Sequence, residues 1–163
     1  MEQSLREAIL VDYARRRPGC GFDGAGSRVT DATAVRSVHR RNPLCGDEVV
    51  LRLEVAAGDA TITHLRWDGR GCIVSQASAA MLASRAEGMT AAQLQRLSRE
   101  VHELIVDQSG APGDIDENDD LATLAGIGRF PLRARCAALA WDALDEAIGR
   151  DSAPVTGHDR GPE

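Results

Sequence analysis

Lysine is missing from this 163-residue sequence, and all 19 basic residues are arginine. A Schiff-base lysine, an ammonium general base and a Walker-type phosphate loop are thereby excluded, because each needs a primary amine. Aromatic residues make up only 3% of the chain. Leu, Ile, Val and Phe together form about a fifth of it, just above the roughly 20% below which chains stop folding. A core built from this composition must lean on alanine. No run of about 18 apolar residues occurs, so no helix is expected to cross a bilayer. The start, MEQSLREAILVDYARRR, lacks a basic segment followed by an apolar stretch and a small-residue cleavage site. The expected localisation is therefore cytoplasmic. Positive charge is in deficit too: the net charge of −6 argues against nucleic acid or an anionic membrane surface as a partner.

What is present reads as one domain over residues 1–149 followed by a polar, unstructured tail over 150–163. Leu5, Ile9 and Tyr13 recur at helical spacing across residues 2–17, and Pro18-Gly19 stops that helix. Gly19–Ser27 is a glycine-rich connector. The period then changes to two. Thr33–Val38, Glu48–Val55 and Thr61–Trp67 read as strands of an antiparallel meander that Asp68-Gly69-Arg70-Gly71 ends. A helix over Cys72–Arg85 is expected to turn Ile73, Ala77, Ala80, Met81 and Ser84 inward. Thr90 and Gln93 form a capping box for the next helix, with Leu94, Leu97, Val101, Leu104 and Ile105 as its stripe. The acidic run 114–120 reads as a solvated loop without calcium-loop spacing. A last helix spans about 131–148. Strands first and helices afterwards predict an α+β fold, a small antiparallel sheet with helices packed on one face.

Three cysteines stand where chemistry is available to them. Cys45 lies in the turn-forming stretch Asn42–Asp47, with Asp47 two residues on. Cys72 follows Gly69-Arg70-Gly71 and opens a helix, where the dipole and free N–H groups favour a thiolate. Cys136 follows Arg133 and Arg135 on the last helix, and guanidinium groups favour a thiolate as well. Three thiolates and a carboxylate suit tetrahedral Zn(II), with Zn–S near 2.3 Å. Their summed charge with the ion asks for nearby cations, which Arg133 and Arg135 could supply. No Cys-x-x-Cys knuckle forces these thiols together, so the spacing equally admits three small buried hydrophobes. Cys20 between two glycines, and His39, His64, His102 and His158, carry no ligand pattern.

Asn-Pro-x-Cys-Gly-Asp (Asn42–Asp47), GRGCIVSQAS (Gly69–Ser78) and RARCAALAW (Arg133–Trp141), in that order, resemble the SufU branch of the IscU/NifU-N iron–sulfur cluster assembly family. The helix bearing Tyr13, followed by Pro18, resembles the family's start, and the likeness runs over about residues 5–148. It implies an antiparallel sheet covered by helices. It also implies zinc on Cys45, Asp47, Cys72 and Cys136, with Arg133 matching the family's arginine. The implied activity is zinc-dependent sulfur transfer. Cys45 would accept persulfide sulfur from a SufS-type, PLP-dependent cysteine desulfurase and pass it to a downstream scaffold of the Suf system. The alternative is a scaffold that itself holds iron or a two-iron two-sulfur cluster on the same residues. IscU-type scaffolds carry His before the last Cys, where this chain has Arg135. They also carry a Leu-Pro-Pro-Val-Lys motif, where it has Phe130–Ala134. Both departures favour sulfur transfer.

Overall fold

The computed structural model describes residues 2–22, 33–111 and 113–149; the predicted tail and most of the glycine-rich connector lie outside them. Helix α1 (Gln3–Arg16) precedes strands β1 (Thr33–Arg41), β2 (Glu48–Ala56) and β3 (Ile62–Arg70). Helices α2 (Ile73–Ala86) and α3 (Ala91–Val106) follow. Two 3-10 turns, Asp120–Leu124 and Ile127–Arg129, lead into α4 (Pro131–Gly149). The strands form one antiparallel sheet in the order β1-β2-β3, so the predicted α+β architecture is the observed one.

Val49, Leu51, Leu53 and Val55 alternate along β2 and are buried, as are Leu65 and Trp67 on β3. α4 packs on β1 and β2, α2 packs on β3, and the two helices pack on each other. Their contact is lined by alanines: Ala77, Ala80, Ala137, Ala140 and Ala143 are all buried. The absence of large side chains lets these backbones approach closely. One polar bolt crosses the contact. The Ser78 hydroxyl donates to the Ala137 carbonyl at 2.6 Å and accepts the Trp141 indole N–H at 3.0 Å. The Thr90–Gln93 capping box forms as expected.

Four expectations need correction. β1 continues past Val38 because Arg40 and Arg41 pair with Val49 and Glu48 of β2. β3 does not end at Asp68; its ladder with β2 runs to Arg70, which delivers Cys72 directly from strand to helix. Leu5 and Ile73, expected inward, are 51% and 52% exposed, and Ser84 is exposed. Finally, the end of the acidic run is tied down rather than solvated. Asp119 pairs with Arg85 and caps the first 3-10 turn, while Asp120 accepts the Tyr13 hydroxyl at 2.7 Å.

Candidate metal centre

Cys45, Asp47 and Cys136 offer ligand atoms that all lie within 4.8 Å of one another. They come from two places. The β1–β2 loop supplies Cys45 and Asp47, and the second turn of α4 supplies Cys136. The loop takes its shape from Asn42. Its backbone N–H donates to the Asp47 carbonyl at 2.8 Å, its carbonyl accepts the Gly46 N–H at 2.9 Å, and its side-chain oxygen accepts the Leu44 N–H at 3.1 Å. The Asn42 amide also points at the Cys136 sulfur, 4.0 Å away. Cys45 is thereby exposed yet brought to 3.5 Å from Cys136, which is buried.

Cys72 is not in the 4.8 Å group but neighbours two of its members, Asp47 and Cys136. It is the N-cap residue of α2 and is exposed. Its backbone N–H donates to Asp47 Oδ2 at 3.3 Å, and its thiol faces Asp47 and Cys136. Gly71 makes this approach feasible. A Cβ there would stand 2.6 Å from Asp47 Cγ and 2.4 Å from Ser75 Oγ. Real Cβ atoms do not come so close, so only glycine lets the loop carboxylate reach the start of α2.

The electrostatics of this site are those of a set of donors. Burial alone would raise the Asp47 carboxyl, but hydrogen bonds from Cys136, Cys72 and Ser75 outweigh it and hold the carboxyl below its ordinary value. The Cys136 thiol moves far the other way. Burial pushes it up, and the adjacent Asp47, Cys45 and Cys72 push it further. The expectation that guanidiniums would lower it is not met, because both arginines turn elsewhere. Arg133 is exposed and stands over the Phe130 ring, 5.2 Å from its centroid. Arg135 is exposed on the groove it shares with Arg40 and Arg41. Among the described residues no arginine pairs with Asp47.

Protein groups alone therefore leave a buried thiol against a carboxylate with no cation between them. Two thiols and a carboxylate brought together, with the Cys72 thiol next to them, are donors suited to a thiophilic cation, which displaces thiol protons on binding. The residues fit Zn(II) on this chemistry. Among the described residues no histidine joins them, and Cys20 is elsewhere, its sulfur 3.8 Å from Asp68 Oδ1. Asn42, Gly71 and Ser75 support the site, and the sequence reading gave them no role. The Asn-Pro turn and the glycine before Cys72 were visible signals, but their packing partners were not.

A three-stranded antiparallel sheet covered by helices, with thiols and a carboxylate gathered between the β1–β2 loop and α4, marks a small α+β domain with a candidate metal centre. The chain belongs to the NifU-like N-terminal domain family, whose model matches residues 24–152. It is 32% identical over 148 residues to the iron–sulfur cluster assembly scaffold protein IscU of Thermotoga maritima, covering 91% of this chain and 94% of that protein. It is 29% identical over 114 residues to the zinc-dependent sulfurtransferase SufU of Bacillus subtilis, covering 70% of this chain and 75% of that one. Among solved structures it resembles a candidate SUF-system scaffold from Fervidobacterium islandicum AW-1. The TM-score is 0.65 at 22% identity, over 86% of this chain and 93% of that chain. This last likeness bears on the fold alone.

Proposed function

We propose that this chain is a zinc-dependent sulfurtransferase of iron–sulfur cluster assembly, with Cys45, Asp47, Cys72 and Cys136 as the metal ligands and Cys45 as the sulfur acceptor. The observation that carries the reading is the contrast among the thiols. Cys72 caps a helix and Cys136 sits within one, so moving either disturbs regular structure. Cys45 is exposed in a loop, where displacement costs least. The SufU relative, named as zinc-dependent, supports the choice of metal.

When bound, Zn(II) would keep the thiols deprotonated at neutral pH. The loop residues do the rest. The Cys45 sulfur swings outward on the Asn42-anchored turn and attacks the outer sulfur of a partner's persulfide. The donor's S–S bond breaks as the new Cys45 S–S bond forms, and the partner's own sulfur leaves as a thiolate carrying the negative charge that Cys45 brought, while the transferred sulfur keeps its own proton. Sulfur changes carriers with no net oxidation or reduction. The partner's chemistry is that of a cysteine desulfurase of the SufS type, and a cluster scaffold of the Suf system is the onward acceptor. Exposed Leu44, Ile73, Phe130 and Leu132 flank the ligands in sequence and offer apolar contact to such a partner. Arg133, one turn before Cys136, exposed and turned over Phe130, is the residue to dock it.

The test is desulfurase turnover at saturating cysteine. Added protein should raise it several-fold, and Cys45→Ala should abolish the rise. An unchanged rate on adding the wild-type chain counts against the reading. The wide coverage of the IscU relative favours a second reading, a scaffold holding a two-iron two-sulfur cluster on these same residues. The two separate at purification: a colourless protein with about one zinc per chain supports transfer, a brown one the scaffold.

A further inference from the structure

A groove of about 410 Å³ opens between α1, the 3-10 turns and the first turn of α4. That volume falls in the range of about 300–1,000 Å³ typical of small-molecule sites. Three guanidiniums line it, from Arg6, Arg129 and Arg133, and no acidic side chain does. Each is held by a neutral partner. Arg6 Nη1 donates to the Ala125 carbonyl at 2.8 Å, and Arg129 Nε donates to the Gly126 carbonyl at 3.3 Å. Arg133 stacks over Phe130. Among the described residues none of the three forms an ion pair, in a chain that carries six more acids than bases.

The seat of Arg129 is built. Gly110 and Gly126 both take left-handed backbone, at φ 82° and 76°. A Cβ on Gly126 would stand 2.8 Å from Arg129 Nη2 and 3.0 Å from Gly110 Cα. Two close-packed glycines thus make the slot in which this guanidinium lies. Leu10, Val74 and Phe130 supply apolar wall between the charges.

We propose that this groove binds a small organic anion bearing two or more carboxylates. A planar guanidinium fork matches a carboxylate, and three forks on separate elements ask for more than one anionic group. The overall negative charge opposes the approach of an acidic macromolecule at long range, whereas a small polycarboxylate senses the local positive groove. In sequence, Val74 lies two residues after Cys72 and Arg133 three before Cys136, but none of the thiols lines the groove. The proposal goes beyond sulfur transfer and does not rest on it.

The probe is tricarballylate, titrated calorimetrically into the metal-containing full-length chain. Saturable binding that weakens as NaCl rises is expected. Arg6→Gln and Arg129→Gln should each weaken it about tenfold, the scale of one charge-assisted contact, while Arg6→Lys, which keeps the charge but loses the fork, recovers only part of it. Melting without ligand and zinc content are recorded for each variant. Both should match the wild type, so a failed sulfur-transfer reading leaves the titration intact. No saturable binding to the wild type, or equal binding by both Gln variants, overturns the proposal. So does inorganic phosphate binding as tightly as tricarballylate. A short polyglutamate peptide that binds more tightly than tricarballylate would make the groove a peptide dock and overturn it as well.

Discussion

Gly71 has no side chain, and Asp47 occupies the space one would need. The carboxylate, the Cys72 N–H and the Ser75 hydroxyl all meet there. Gly71→Ala should leave the sheet and helices intact but push Asp47 out of register with the thiols. Losing such support for a ligand lowers metal affinity by about 10–100-fold. Competition against a chromophoric zinc chelator would measure it, and wild-type affinity in the variant would show that Asp47 is not a ligand. At this scale the sequence was informative about residue types and silent about distances. Cys45, Asp47 and Cys72 were legible as candidates because they sit at a turn and a helix start, Cys136 because arginines flank it on the last helix, and the four as one set through the family resemblance. Nothing local could say that Cys136, 91 positions from Cys45, would stand 3.5 Å from it. That proximity comes from α4 crossing β1 and β2.

Helices and strands carried clearer signals, and the errors among them have physical causes. The period-2 pattern of β2 was decisive because one face is wholly buried. β1 looked three residues too short because its pairing continues through His39, Arg40 and Arg41, where ladder hydrogen bonds and not apolar residues hold the strand. Ile73 follows the helical period yet faces out, since the first turn of α2 stands at the site rather than over the sheet. Between α3 and α4 lies an element-scale contact with a pH signature. His102 Nε2 lies 3.1 Å from Asp145 and 3.6 Å from Asp142, which Arg40 faces from β1 at 3.8 Å. The Asp145 hydrogen bond raises the His102 pKa, against its burial and with help from the Asp142 charge. A raised histidine stabilises the fold fully below its unfolded value of about 6.5 and loses that contribution as pH rises through its folded value. Burial raises Asp142 as well, with the same sign in a more acidic window. Thermal stability should therefore fall between about pH 6 and 8, and His102→Gln should flatten that fall. An identical slope in the variant would remove His102 from the account.

Across the whole molecule, the site lies where the β1–β2 loop meets the start of α2 and α4. The proposed ligands come from the β1–β2 loop, the start of α2 and α4, so a bound ion staples sheet to helices near the surface. Binding free energy of that kind is folding free energy. Dialysis against a strong chelator should lower the melting temperature, and added Zn(II) should restore it. A melting curve indifferent to both would detach the metal from the fold. Composition was the most reliable guide at this scale. The alanine-rich, aromatic-poor content anticipated the closely packed α2–α4 contact. The groove of unpaired arginines was invisible, since Arg6 lies far in sequence from Arg129 and Arg133 and meets them only through the packing of α1 on the 3-10 turns.

The central claim is that Cys45, and no other thiol, takes up the sulfur. Incubation with a SufS-type desulfurase and cysteine, trapping with an alkylating agent, and peptide mass spectrometry address it directly. The account predicts an added mass of about 32 Da, one sulfur transferred by persulfide exchange, on the peptide that carries Cys45. The same mass on Cys72, Cys136 or Cys20, with Cys45 unmodified, would contradict it.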